Sequence, residues 1–444
     1  MSIPDPSKKF IFGSATSSYQ IEGAWNEDGK SASIWDTFSH KGKIKDKSNA
    51  DIACDHYNRF QEDVEIMAQL NLDAYRFSIA WPRVLPLGTG KPNEKGIDFY
   101  KRLCDNLLEK SIRPFVTLYH WDLPQILEDK GGWTNRDIIE WFSEYTSVMH
   151  NALKDRVKDW IILNEPFVFI VLGYLLGVHA PGRRGFKNFF RASHHAMLAQ
   201  AASARILRSL DSTARIGTTV SCTATYPARD NEKDRQAARR FDAFYNRFYI
   251  DPVVGRGYPM QDLPVLKKIK KYIMPDDDKG IQFDFDFWGI NTYSTKLVKR
   301  NRVVPWLGYR ELKRKLPRTA MGWEIDARGI HDLLMQFGKY PEIKELYITE
   351  NGAAFDDRVE DGRVHDMNRI HYLNQHIDAV LKARANGINV NGYFAWSLMD
   401  NFEWAEGFRP RFGLVHVDYK TLQRTIKDSG YWYRDFISGL KTKS

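Results

Sequence analysis

Eight short apolar runs, rich in β-branched and aromatic residues, recur along this chain. Most are separated by stretches whose apolar residues fall three and four apart, so the pattern moves between the periods of strand and helix. Phe10–Thr16 reads as the first strand. Residues 60–70 then put Phe60, Val64, Met67 and Leu70 on one helical face before a second strand, Ala74–Ile79. Phe99, Leu103 and Leu107 mark a helix ahead of Arg113–Tyr119, and the amphipathic stretch Arg136–Leu153 leads into Val157–Leu163. A helical stretch over 189–209 precedes Arg215–Val220. After a long helical and loop region come Asp284–Ile290, a helix over Ile330–Phe337, and the run Leu346–Ile348, which ends at Glu350. A helix over Arg369–Ala385 and the strand Val390–Trp396 complete the series. No Ser/Gly-rich hinge or internal repeat interrupts it. The pattern predicts the α/β class: a single (β/α)8 TIM barrel over residues 1–444, one domain, with long βα loops forming a pocket. A doubly wound sheet would want a glycine-rich turn after the first strand, where only Gly13 stands.

Polar residues gather where these strands stop, and in a barrel such ends converge on one face. Two of them are glutamates. Asn164-Glu165-Pro166 closes the fourth strand and Glu350-Asn351-Gly352 the seventh. Proline drives the residue before it out of the right-handed helical region, and Asn-Gly is a strong turn signal. Each carboxylate therefore stands where a buried strand runs into a loop. Two carboxylates so placed suit glycosidic-bond cleavage, in which one protonates the leaving oxygen while the other attacks or activates water. The plainer reading of each alone is a surface ion pair. Arg76, between Tyr75 and Phe77, should point its charge into the barrel, where it needs an anionic partner. His120-Trp121 offers a hydroxyl donor and an aromatic wall, and Asn164 an amide. The segment from Trp396 to Trp404 alternates rings with carboxylates, a combination that holds vicinal hydroxyls beside a stacking surface.

Composition narrows the classes. Hydrophobic residues make up 43%, which excludes wholesale disorder. The net charge of +9 is spread thinly, and the cluster Lys267–Lys271 reads as a solvated loop. With no basic helix or aromatic-basic repeat, no nucleic-acid partner is expected. The 13 Trp, 21 Tyr and 26 Phe, many in loops, favour a ligand with flat apolar faces. Three cysteines without close spacing predict neither a disulfide framework nor a zinc site, and a reducing, cytoplasmic compartment. Met1–Pro6 lacks a charged segment leading into an apolar one, and no run reaches the length of a membrane span. The rings of His194 and His195 cannot share a helix face, which reads as packing or surface placement. HExxH, G-x-S-x-G, P-loop and dinucleotide motifs are missing, so no metal or cofactor is expected.

With these motifs in place, the chain resembles glycoside hydrolase family 1, the β-glucosidase type, from Phe10–Thr16 to Gly430–Tyr433. Asn164-Glu165-Pro166 is similar to that family's acid/base motif, and Ile348-Thr349-Glu350-Asn351-Gly352 to its nucleophile motif. The resemblance implies Glu350 as nucleophile and Glu165 as acid/base. It implies Gln20, His120, Asn164, Glu403 and Trp404 as hydroxyl-binding groups and Trp396 as the platform under the sugar, with Trp121 beside His120 as a wall. Tyr293 would hydrogen-bond the nucleophile with Asn291 beside it, and Arg76 would pair with it. Trp323 would line the leaving-group side and Phe412 the pocket floor. Ile162, Phe167 and Thr292 depart from the residues frequent in the family, and Phe167 bears on the leaving-group side. Glu165 is intact where thioglucosidases carry Gln. Glu403-Trp404 stands where 6-phospho-glycosidases carry other residues, and its carboxylate would repel a phosphate.

The expectations that follow are retaining hydrolysis of β-D-glucosides or short oligosaccharides, with β-D-galactosides and β-D-fucosides tolerated. The carboxyl groups should lie about 5–5.5 Å apart. An ionised neighbour and partial desolvation should raise Glu165 towards roughly 6. Residues 296–322 should shape aglycone choice. The alternatives are a 6-phospho-β-glucosidase and a non-catalytic carbohydrate-binding barrel. Oligomeric state has no signature in the sequence.

Overall fold

The structure, a computed structural model, describes residues 9–304 and 306–441, and the N-terminal reading at Met1–Pro6 lies outside the described residues. Its centre is a closed barrel of eight parallel strands. These are β1 (Ile11–Ala15), β2 (Ala74–Ser78), β3 (Arg113–Tyr119), β4 (Asp159–Asn164), β5 (Arg215–Ser221), β6 (Phe287–Asn291), β7 (Leu346–Asn351) and β8 (Val390–Trp396). They pair in chain order, and β1 closes the ring by pairing β2 and β8, with Gly13 opposite Ala74 and Ile11 opposite Gly392. Helices cross between them at His56–Gln69, Glu94–Glu109, Ile138–Leu153, Phe186–Leu210, Arg328–Phe337 and Met367–Ala385. The helical spacing located all six, each start or end differing by a few residues.

Two strand readings need correction. β4 begins after Val157, whose N–H still bonds Leu153 O and closes the preceding helix. β6 begins at Phe287, not Asp284. Asp284 is exposed and paired with Lys344, while the Asp286 carboxylate accepts from the Ile216 N–H (2.7 Å) and from Arg208. The Asp-Phe-Asp-Phe alternation looks like a strand, but its acids serve the approach to the barrel.

The barrel's lower interior is aromatic. Phe115 contacts Phe394 (5.0 Å between centroids) and Tyr347 (5.6 Å), and Tyr347 contacts Phe287 (5.4 Å). Room for these rings comes from glycine: a Cβ on Gly217 would lie 2.3 Å from the Phe287 ring. Below them Arg113 and Arg215 share Asp159, and Arg215 also reaches Glu345, closing that end with compensated charge. The opposite, C-terminal end is left for the polar strand termini. Over it lies a small sheet of Thr225–Pro227, Lys296–Arg300 and Tyr309–Leu312, the last two strands forming an antiparallel hairpin.

The Lys267–Lys271 cluster is part of a 3₁₀ run, Pro264–Tyr272, and not a loop; Leu266 and Ile269 are buried while the lysines stay exposed. His194 and His195 are both packed, the first against Asp277 (2.8 Å) and the second on Trp133 O (3.0 Å). Cys54, Cys104 and Cys222 are free and buried. Among the described residues no helix is long and apolar enough to cross a membrane.

Candidate active site

Glu165 follows β4 directly, and Pro166 opens the helix Pro166–Ile170. The backbone of Glu165 is left-handed (φ 51°) instead of extended. Its N–H is bonded to Thr219 O (2.9 Å), while the chain must turn at once into the helix. Such a conformation costs a non-glycine residue about 1 kcal/mol and persists only where neighbours over-determine it. Glu350 sits within β7, one position before the strand's last residue, Asn351.

The two carboxylates are the ends of one buried hydrogen-bonded chain. Glu350 Oε1 accepts from Arg76 Nη1 (2.5 Å) and its Oε2 from the Tyr293 hydroxyl (2.6 Å). Arg76 Nη2 donates to Asn164 Oδ1 (2.6 Å). That oxygen also accepts from Asn291 Nδ2 (3.0 Å), which donates to Glu165 Oε1 as well (2.9 Å). Asn291 Oδ1 in turn accepts from the Thr349 hydroxyl (2.7 Å), which fixes the amide. The inward charge expected of Arg76 is thus met by Glu350.

This chain also fixes His120. The Asn164 oxygen is an acceptor twice over, so its Nδ2 donates to His120 Nε2 (2.9 Å). The ring proton is therefore on Nδ1, which has no partner among the described residues. Burial, and then Arg76, push His120 well below the usual histidine range, so the ring is neutral and presents a donor.

Burial is also the larger influence on the acids. Burial first, then the charge of Glu350, raises Glu165 well above the ordinary carboxylate range, with Asn291 and Arg76 opposing. The direction is the expected one, but desolvation outweighs the neighbour. Burial raises Glu350 too, against the pull of Arg76 and Tyr293. Glu403 is pushed up to about 8 by burial and by Glu350, with Gln20 acting the other way.

Both glutamates line a hollow of about 400 Å³, together with His120, Trp121, Tyr293, Trp323, Trp396, Glu403, Trp404 and Phe412. Trp404 lies against Trp121 (4.4 Å) and Trp35 (4.8 Å), and Trp396 stacks on His120 (5.9 Å). Trp323 contacts Tyr293 (5.2 Å) and Phe412 (5.9 Å). Arg76, Asn164 and Asn291 stand behind the wall. Gln20 stands beside Glu403, its Nε2 donating to Asn401 Oδ1 (2.9 Å) and Phe402 O (2.8 Å) and approaching Glu403 Oε2 at 3.4 Å. Among the described residues no group of three or more His, Cys, Asp or Glu is arranged to hold a metal ion.

Sequence reading missed several lining residues. Tyr245 lies on the ring of Phe167 (4.2 Å); Lys296 and Glu311, paired across the hairpin (2.7 Å), fall within the 296–322 segment but were not singled out in it. Tyr245 ends the helix Glu232–Tyr245, and only its position after a helical face could have singled it out.

A (β/α)8 barrel with two buried strand-end carboxylates and aromatic walls around a hollow of this size has the makings of a glycoside hydrolase. The chain belongs to Glycosyl hydrolase family 1, whose model matches residues 5–442. It is 49% identical to Beta-glucosidase A of Thermotoga maritima over 96% of both chains. It is 40% identical to a bifunctional beta-D-glucosidase/beta-D-fucosidase of Bifidobacterium breve, over 97% of this chain and 98% of that one. In three dimensions it is similar to a solved beta-glucosidase from Thermotoga maritima in complex with glucoimidazole, at 48% identity, a TM-score of 0.94 and 98% coverage of both chains.

Proposed function

We propose that this protein is a retaining β-glucosidase, removing terminal β-D-glucosyl residues by double displacement, with β-D-fucosides also accepted. The observation that carries the reading is that Glu165 and Glu350 line one hollow and end one hydrogen-bonded chain. Family membership and the β-glucosidase names of its relatives support it.

In the proposed mechanism the sugar rests on Trp396, with His120 Nδ1 and the Glu403 carboxylate on its hydroxyls and Trp121, Trp404 and Phe412 enclosing it. Glu350, aimed by Arg76 and Tyr293, attacks the anomeric carbon. Glu165, protonated because it is buried beside an anion, gives its proton to the leaving oxygen on the Trp323 side. Formation of the glycosyl ester removes the charge of Glu350, so the pKa of Glu165 falls and it can take a proton from the incoming water. A chromogenic β-D-glucoside tests the reading. Dye release with β-glucose as the first-formed anomer is expected by NMR; α-glucose would mean inversion, and no release a silent barrel. A phosphate on the sugar would enter a hollow already lined by Glu403, which argues against a 6-phospho-glucoside.

Two variants probe the supporting groups. Arg76→Gln leaves Glu350 buried without its cation. It should cost about 3–5 kcal/mol in urea denaturation. Because loss of the cation disfavours the ionised form, it should also move the acidic limb of the pH–rate profile to higher pH; an unmoved limb would detach Arg76 from Glu350's ionisation. Glu403→Ser should lower kcat/KM on glucosides by about 10- to 100-fold, the worth of two hydrogen bonds to a bound hydroxyl pair. Unchanged kinetics would leave Glu403 a packing residue.

A further inference from the structure

A second hollow, about 1080 Å³, adjoins the first and shares Leu172, His179 and Glu406 with it. The junction adjoins the helical run that follows Glu165, the proposed proton donor to the leaving oxygen. The helical run that begins at Pro166, directly after Glu165, carries Val168 and Leu172 four residues apart, so both face the first hollow, and Leu172 also borders the second.

The two hollows differ in charge. In the first, Glu311 is paired with Lys296, Glu406 with Lys45 and Glu350 with Arg76, while burial raises Glu165 and Glu403, so its lining carries little net charge. The second has a surplus of cations. There Arg183 is tied to Glu128 and Lys45 to Glu406, while Asp129 accepts from the neutral Gln125 amide (2.7 Å) and keeps its charge. Lys41, Lys43 and Arg184 remain, all exposed and with no carboxylate partner among the described residues. A cleft with a surplus of one sign of charge, here positive, concentrates the field that a ligand meets. An anionic tail that reaches the second hollow from a neutral sugar in the first meets this surplus of cations.

The geometry points to β-glucosides whose aglycone ends in an anionic group, a carboxylate or a phosphate, as the preferred substrate class, with Lys41, Lys43 and Arg184 receiving the anion. This rests on the β-glucosidase reading.

The test uses phenyl β-D-glucosides with a para-alkyl chain ended by a carboxylate, a phosphate or a carboxamide, over a series of chain lengths. The alkyl spacer keeps the phenol leaving group alike, so the ratio of kcat/KM between anion and amide reports the tail alone. At low salt at least one anionic tail should exceed its amide by about fivefold, falling towards parity near about 0.5 M salt. The double variant Lys43→Glu, Arg184→Glu should bring the ratio below one; both side chains are exposed, so the fold is not at stake. Which anion gains more identifies the tail the trough prefers. Parity at every length at low salt, or a ratio indifferent to the charge reversal, overturns the inference while leaving the glucosidase reading intact. Failure to cleave even the neutral amide overturns the glucosidase reading, and this inference with it.

Discussion

Glu350→Gly should reduce hydrolysis of β-glucosides by on the order of 10⁵–10⁶-fold, the scale on which hydrolases lose rate when their nucleophile is removed. Added azide should restore turnover of an aryl glucoside with a good leaving group and yield the α-glucosyl azide. The configuration follows from counting displacements. With the carboxylate gone, a small anion can occupy its place near Arg76 and Tyr293 and attack once, inverting the anomeric centre. Glu350→Gln separates charge from shape. It should be as inactive as the glycine variant but not rescued, because the amide fills the space azide needs. NMR of the azide product decides the matter: a β-configured product from Glu350→Gly, or substantial hydrolysis in Glu350→Gln, would remove Glu350 from the nucleophile role. Rescue should also saturate with azide, since Arg76 is left as a buried cation without its carboxylate.

Much of this site was legible because a barrel makes strand ends into neighbours. Glu165 and Glu350 are far apart in sequence, yet each is written as an apolar run stopped by a turn-former. β3 and β8 match the sequence reading to the residue because polar or turn-forming positions bound them on both sides. β6 does not, since Asp286 uses its carboxylate on the neighbouring strand's approach, a contact invisible to a period-two pattern. The hairpin of Lys296–Arg300 and Tyr309–Leu312 was illegible for a related reason. Its first strand takes its place by pairing Thr225–Pro227, distant in sequence, and its connecting residues carry no short turn motif. Asn291 had been read as an accessory of Tyr293. The structure makes it the link between Glu165 and Asn164, a matter of side-chain direction that spacing does not encode.

Glu165→Ala should divide substrates by their leaving groups. Alkyl glucosides and cellobiose, whose departing oxygen must be protonated, should lose about 10³–10⁴-fold in kcat/KM, within the range assigned to a positioned general acid. A dinitrophenyl glucoside, which departs unprotonated, should keep most of its kcat/KM, because Glu350 still has Arg76 and Tyr293. Its kcat should fall, since hydrolysis of the glycosyl-enzyme then lacks its base. Azide should relieve that second step and give the β-glucosyl azide, two inversions having occurred, the opposite anomer to the product from Glu350→Gly. The pH profile supplies an independent sign. In the wild type, activity should fall below the pKa of Glu350, where the nucleophile is protonated, and fall again above that of Glu165, where the acid has lost its proton. Burial raises both groups, and the charge of Glu350 raises Glu165 further, so the basic limb belongs to Glu165. In Glu165→Ala that limb should vanish from kcat/KM for the dinitrophenyl substrate while the acidic limb remains. Glu165 is already protonated at the pH of that acidic limb, so its removal takes no charge from beside Glu350 and the limb should stay close to its wild-type position. Equal losses on good and poor leaving groups, or a persistent basic limb, would assign the proton to some other residue of the hollow.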